Sequence, residues 1–123
     1  MRVLIIDDEP VALATAKALI ASRGHEVHTR DQALGTTSAM REIRPEVVLV
    51  DWRMPGLSGD GLIRLLKRRE QADGAPALVV ILHSAAPELE LDALAKEVGA
   101  DGFISKAWPP ARFHAEFDRL ARR

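Results

Sequence analysis

The chain has 123 residues, no Cys, and a formal net charge of −1 from 17 Lys+Arg against 18 Asp+Glu. The length suits a single domain with one ordinary core, and the lack of thiols excludes a disulfide scaffold, a thiolate metal site and a cysteine nucleophile. Balanced charge argues against a general attraction to nucleic acid or anionic lipid, and no apolar run approaches the roughly 20 residues of a membrane span. A cytoplasmic protein without direct nucleic-acid or membrane binding is therefore expected.

Val3-Leu4-Ile5-Ile6 is apolar at every position, as in a strand covered on both faces. Asp7-Asp8-Glu9-Pro10 follows, and Pro suits a first helical turn, where its missing N–H has no partner to lose. This places a helix from about residue 10 to 22, stopped by Gly24. A short run around Val27 reads as a second, less buried strand. A second helix is predicted from about Gln32 to Ile43, ending before Pro45, and Val47-Val48-Leu49-Val50 repeats the buried-strand pattern with Asp51 at its end. After a turn at Met54-Pro55-Gly56, Leu62, Leu65 and Leu66 mark the apolar face of a third helix that closes near Asp73-Gly74. Leu78 to Leu82 is the fourth strand, Glu88 to Val98 the fourth helix, and Gly102 to Ser105 the fifth strand. Phe113, Phe117 and Leu120 then line one face of a last helix after Pro109-Pro110. Five strands alternating with five helices predict an α/β fold in which a parallel sheet carries helices on both faces.

In such a sheet, ligands bind beyond the C-terminal ends of the strands. The polar residues at those ends are Asp7 and Asp8, Asp51, Ser84 and Lys106. Two carboxylates ~4 Å apart repel by roughly 4 kcal/mol at an effective dielectric near 20, so three of them call for a cation or a raised pKa. Hard oxygen donors without Cys or a spaced His set suit Mg²⁺, with Mn²⁺ as the alternative. A carboxylate can also attack a phosphoryl group to give an acyl phosphate, with Lys106, Ser84 and the ion sharing the phosphoryl charge.

Taken singly, each residue has an ordinary explanation. Asp7-Asp8 can complement a helix dipole, Asp51 can be a turn residue, Ser84 a cap, Lys106 a solvated charge and Phe103 a core side chain. Their combination is what points to chemistry. The four His, at positions 25, 28, 83 and 114, show no ligand spacing, although His83 adjoins Ser84. Trp52 should point away from Asp51, across the strand end.

Asp7-Asp8-Glu9-Pro10, Asp51-Trp52-Arg53-Met54-Pro55-Gly56 with Gly59, Ser84-Ala85, and Gly99-Ala100-Asp101-Gly102-Phe103-Ile104-Ser105-Lys106 together resemble a receiver domain of two-component response regulators, close to the single-domain chemotaxis type. The resemblance covers essentially the whole chain. It implies a (βα)5 flavodoxin-like, doubly wound sheet over residues 1–123, a single receiver with no effector domain in the chain. It also implies phosphorylation of Asp51 by a histidine kinase or histidine phosphotransfer protein, and Mg²⁺ held by Asp7, Asp8, Asp51 and the Arg53 carbonyl. Ser84 and Phe103 would be switch residues that reshape the surface of helix four, strand five and helix five for a downstream protein partner. The chain would thus be a phosphoacceptor that catalyses only its own phosphorylation and dephosphorylation.

Three positions depart from the family pattern. Ala107 stands where Pro usually follows the Lys, often across a cis bond, and a cis bond before Ala costs ~2.5–4 kcal/mol. Either a trans bond with altered Lys106 placement, or a cis bond held by Trp108 and Pro109-Pro110, is expected. Arg53 places a cation at the mouth of the acidic pocket, where pairing with an acid would compete with Mg²⁺. Ala86 removes a polar side chain that steers attacking water, which predicts slow loss of phosphate. An aspartate-nucleophile phosphohydrolase would need a second Asp where Arg53 stands, and a flavin carrier is disfavoured by the Asp7-Asp8 charge. A phosphorylation-independent interaction module on the same fold is the alternative that Ala107 and Arg53 keep open.

Overall fold

A computed structural model of the chain describes residues 1–53, 59–72 and 77–122. The turn at Met54-Pro55-Gly56 and the helix stop at Asp73-Gly74 lie outside the described residues. Strands β1 (Arg2–Ile6), β2 (Glu26–Arg30), β3 (Val47–Asp51), β4 (Val79–Ser84) and β5 (Gly102–Ser105) alternate with helices α1 (Pro10–Ala21), α2 (Thr36–Ile43), α3 (Gly59–Ala72), α4 (Glu88–Val98) and α5 (Pro110–Ala121). All the strand pairs are parallel, in the order β2-β1-β3-β4-β5, so the sheet is doubly wound as predicted.

The period-two alternation of strand side chains divides the core into two layers. Leu4, Ile6, Val48, Val50, Val80 and Leu82 face α2, α3 and α4. Val3, Ile5, Val47, Leu49, Val79, Ile81 and Ile104 face α1 and α5, where Ala16, Ile20, Phe113, Phe117 and Leu120 close the layer. Burial on both faces is why Val3 to Ile6, Val47 to Val50 and Val79 to Leu82 are apolar at every position, whereas the edge strand β2 has no fully buried residue.

Three expectations need correction. Helix α2 begins at Thr36 rather than near Gln32, because Gly35 adopts φ 85° at its N-cap and breaks the helical path. Arg30 covers that turn, donating from Nη2 to the Leu34 carbonyl at 2.7 Å, and a Cβ on Gly35 would lie 2.7 Å from the same nitrogen. In α3, Leu62 and Leu66 are buried but Leu65 is 48% exposed, and Ile63 takes the core position instead. The buried stripe is thus turned about one residue from the predicted one. Strand β4 runs on through His83 to Ser84, which makes both of them strand residues.

Candidate functional site

The strand order reverses between β1 and β3, and the crevice above that point is where a doubly wound sheet binds ligands. Asp7 directly follows β1, and Asp51 ends β3. Ser84 ends β4, and Lys106 follows β5. Backbone bonds fix three of these ends. Asp7 N donates to the Arg30 carbonyl at 3.0 Å, Trp52 N to the His83 carbonyl at 3.4 Å, and Lys106 N to the Ser84 carbonyl at 2.7 Å.

The three aspartates converge. One carboxylate oxygen from each of Asp7, Asp8 and Asp51 lies within 4.8 Å of the others. Asp7 and Asp51 are buried and Asp8 is half-buried. Asp7 Oδ1 accepts from the amide of Glu9 at 2.9 Å, and Asp51 Oδ1 from the amide of Arg53 at 3.2 Å. Asp51 Oδ2 is buried and, among the described residues, accepts no hydrogen bond. An unpaired buried carboxylate oxygen is unfavourable, so this atom calls for a proton, a cation or a covalent partner.

Lys106 is the cation within the cluster. Its Nζ lies 2.9 Å from Asp7 Oδ2, 3.3 Å from Glu9 Oε1 and 3.5 Å from Asp51 Oδ1, on a side chain that is only 8% exposed. Burial opposes its charge, but the contact with Asp7 and the charges of Asp51 and Glu9 outweigh it, so its pKa is raised. For Asp51 the balance is reversed. Burial is the largest influence and, with Asp7 and Asp8 beside it, raises the carboxyl to about 7 against the pull of Lys106 and the Arg53 amide.

His83 is the neighbour whose closeness the sequence showed least. Its side chain is buried on the α1/α5 side, edge-on to Phe113, with Nδ1 3.9 Å from Asp7 Oδ2 and without a hydrogen bond among the described residues. Burial, reinforced by Lys106, lowers it to about 4, so the ring is neutral at pH 7 and adds no charge to the pocket. Glu9 was also missed as a Lys106 contact, because nothing in its spacing distinguishes it from a solvated helix N-cap.

Ser84 is buried, and its Oγ accepts from the amide of Ala86 at 3.2 Å, so it is engaged in its own loop. Phe103 is half-buried, packed against the α2/α3/α4 core layer, with its ring centroid 5.7 Å from that of Trp108. Trp52 packs into the same layer, across the strand end from Asp51, as its alternation requires. Arg53 is exposed, and among the described residues its side chain forms no ion pair. The cation that engages the acids is Lys106, not Arg53.

The Lys106–Ala107 bond is trans, there being no cis peptide bond among the described residues. Lys106 nevertheless reaches the pocket, so the displacement anticipated for a trans bond does not occur. The reason is local: Ala107 retains an N–H that proline lacks, and it donates to Ser105 Oγ at 3.1 Å. Trp108 N closes the turn on the Ser105 carbonyl at 3.2 Å.

The oxygen-only donor set and the unpartnered Asp51 Oδ2 fit a hard divalent ion such as Mg²⁺. With a lysine and a buried hydroxyl at the rim, the arrangement can hold a tetrahedral oxyanion against the Asp51 carboxylate.

Comparison with known proteins gives the same picture. Residues 3–118 match the family model described as "Response regulator receiver domain". The chain is 30% identical over 121 residues to the phosphate regulon transcriptional regulatory protein PhoB of Pseudomonas aeruginosa, covering 98% of this chain and 52% of that protein. It thus spans about half the length of that curated relative. A response regulator receiver domain protein from Clostridium thermocellum superposes with a TM-score of 0.81 at 27% identity, over 99% of this chain and 94% of the other. The BeF3-activated N-terminal receiver domain of Klebsiella pneumoniae RstA gives a TM-score of 0.85 at 22% identity over the full length of both, which shows the shared fold.

Proposed function

The chain belongs to the response regulator receiver domain family, and from that premise we propose that Asp51 is the residue that accepts a phosphoryl group in phosphorelay signalling. The observation that carries this reading is the buried, unpartnered Oδ2 of Asp51, at the point where Asp7, Asp8 and Lys106 converge from different strand ends.

The donor is a phosphohistidine on a kinase or a histidine phosphotransfer protein. A carboxylate oxygen of Asp51 attacks phosphorus, the P–N bond breaks, and the imidazole nitrogen leaves with the electron pair and takes up a proton. An acyl phosphate remains on Asp51. Asp7, Asp8, Asp51 and the Arg53 carbonyl would hold Mg²⁺ (or Mn²⁺), which would supply positive charge to the phosphoryl oxygens. Lys106 exchanges its resting partners for one of those oxygens. Ser84 gives up the Ala86 amide and donates to another.

Signalling follows as a population shift, because the phosphoryl group binds better to the arrangement in which Ser84 and Lys106 face it. Ser84 leads into α4 and Lys106 follows β5, so the reshaped surface is that of α4, β5 and α5, including Phe103. A downstream protein reads that surface. The chain acts as a phosphoacceptor rather than as an enzyme on an external substrate, and a cytoplasmic setting suits a kinase donor.

Incubation with Mg²⁺ and acetyl phosphate, read by intact mass, tests the assignment. One phosphoryl adduct is expected on the wild type and none on Asp51→Asn. An adduct that survives in Asp51→Asn, or no adduct on the wild type with several small phosphodonors, overturns it.

A further inference from the structure

The segments that leave Ser84 and Lys106 are tied to each other beyond the pocket. Trp108 Nε1 donates to Glu88 Oε1 at 2.7 Å, and Arg112 Nη2 pairs with the same carboxylate oxygen. The Arg112 guanidinium also lies over the Trp108 ring, 4.0 Å from its centroid. Trp108 packs on the α1/α5 core layer while touching Phe103 of the opposite layer, so its ring wraps the β5 edge of the sheet. Glu88 is the first residue of α4, and Arg112 lies in the first turn of α5. Three side chains from two helices and a loop thus form one closed contact.

Both ends of that contact lead directly to reacting groups. Glu88 is joined to Ser84 by only Ala85-Ala86-Pro87, and Trp108 to Lys106 by only Ala107. The Ser84–Ala86 hydrogen bond holds the first link in its present course. When Ser84 turns toward a phosphoryl group it surrenders that bond, and the three-residue link no longer fixes where Glu88 stands. The Lys106 side is held separately, by the Ser105 hydroxyl and carbonyl. The two halves of the contact therefore part when one link moves and the other stays.

We propose that Glu88, Trp108 and Arg112 form a clasp that stabilises the unphosphorylated arrangement and opens when Asp51 carries a phosphoryl group. The proposal rests on the acceptor reading of Asp51. It makes Glu88 and Trp108 positioning residues, which act through Ser84 and Lys106 without touching the phosphoryl group. By linkage, a contact present only in the resting state opposes phosphorylation, and its removal favours the active arrangement by the same factor. The clasp is partly exposed, with side chains 47% (Glu88) and 54% (Arg112) accessible, so the factor belongs at the low end of typical couplings, about fivefold.

The test is a titration with beryllofluoride in excess Mg²⁺, read by calorimetry, on the wild type, Glu88→Ala and Trp108→Phe. Both substitutions are expected to lower the half-saturating concentration about fivefold. Asp92→Asn, which breaks the exposed Asp92–Lys96 pair on the same helix, is expected to leave it unchanged. A contact that is only structural would lower the melting temperature and leave the affinity equal or weaker, and that result overturns the clasp.

A second readout uses Trp52→Phe, which leaves Trp108 as the sole indole of the chain. Its emission is expected to change on saturation with beryllofluoride, and constant emission overturns the opening. A wild type that neither gains a phosphoryl adduct from acetyl phosphate nor binds beryllofluoride overturns the acceptor reading and the clasp together. A wild type that does both while the variants match it overturns the clasp alone.

Discussion

Lys106 Nζ lies 2.9 Å from Asp7 Oδ2 on side chains that are 8% and 1% exposed, so the resting pocket carries its own counter-ion. A buried ammonium among carboxylates neutralises negative charge that a divalent ion would otherwise satisfy. In the proposed transfer the same side chain would also serve the phosphoryl group, which would make it both a competitor of the metal and a participant in the reaction.

Lys106→Ala separates those two roles. In metal-free buffer it is expected to destabilise the fold by about 3–5 kcal/mol, because Asp7 is left as an unpaired buried charge. Mg²⁺ affinity should rise about tenfold, since a positive charge beside the carboxylates no longer repels the ion. Phosphoryl transfer should slow even with Mg²⁺ saturating. Urea unfolding, Mg²⁺ calorimetry and intact mass against time measure the three effects. A Mg²⁺ affinity that falls on losing Lys106 would sink the competition argument.

Asp51 sets a pH dependence whose sign follows from its raised pKa. Burial lifts the folded carboxyl from 3.8 to about 7, so the folded chain prefers Asp51 protonated. The associated stability is complete below about pH 4 and is lost as pH rises through about 7. In EDTA, Asp51→Asn should therefore gain thermal stability relative to wild type as pH rises from 4 to 8. Taking the difference between the two proteins removes the contribution of His83, whose lowered pKa acts in the opposite sense. Saturating Mg²⁺ should reverse the difference, because ion and proton compete for one carboxylate, and metal at 100 times its Kd adds about 2.7 kcal/mol. A difference independent of pH would contradict the burial argument.

The lifetime of the acyl phosphate is expected to be long. Ala86 offers no side chain to align water beside Ser84, and Arg53, two residues past Asp51, is a cation that cannot take a proton from it. Decay over minutes or longer in Mg²⁺ buffer is anticipated, with Ala86→Glu shortening it several-fold. Radiolabel loss or intact mass measures it, and a wild-type half-life of seconds refutes it.

Ala107→Pro would match the commoner residue of the family, yet it is expected to destabilise this chain. The Ala107 amide donates to Ser105 Oγ, a buried hydroxyl that the substitution would leave without this donor. A loss of about 1–2 kcal/mol in urea unfolding is expected, and Ser105→Ala in the same background should relieve part of it. If Ala107→Pro is neutral or stabilising, the Ser105 bond is not what holds the loop.

Much of the architecture is legible in the chain because burial on two faces leaves a compositional mark. Val3 to Ile6 and Val47 to Val50 contain no polar residue because neither face of these strands meets water. Asp7 and Asp51 could be placed at strand ends for the same reason, since each terminates or follows such a run, whereas Lys106 follows the short, half-buried run from Gly102 to Ser105. Gly35 and Leu65 were less legible. Gln32-Ala33-Leu34 has ordinary helix formers, and only the positive φ at Gly35 delays α2 to Thr36. Leu65 fits the helical period as well as Ile63 does, and packing alone chose between them.

By itself, then, the sequence determined the sheet, the alternation of strands and helices, and the residue types that meet at its carboxyl end, because these depend on local period and on side-chain chemistry. Tertiary structure decided how those residues are paired: that Lys106 engages Asp7 and Glu9, that Asp51 Oδ2 has no hydrogen-bond partner among the described residues, and that His83 is buried beside Asp7. It also decided that Glu88 and Arg112 meet across Trp108. Such pairings join residues far apart in the chain, at distances of 3–4 Å where a shift of one ångström changes which charge is satisfied, and no periodic pattern encodes them.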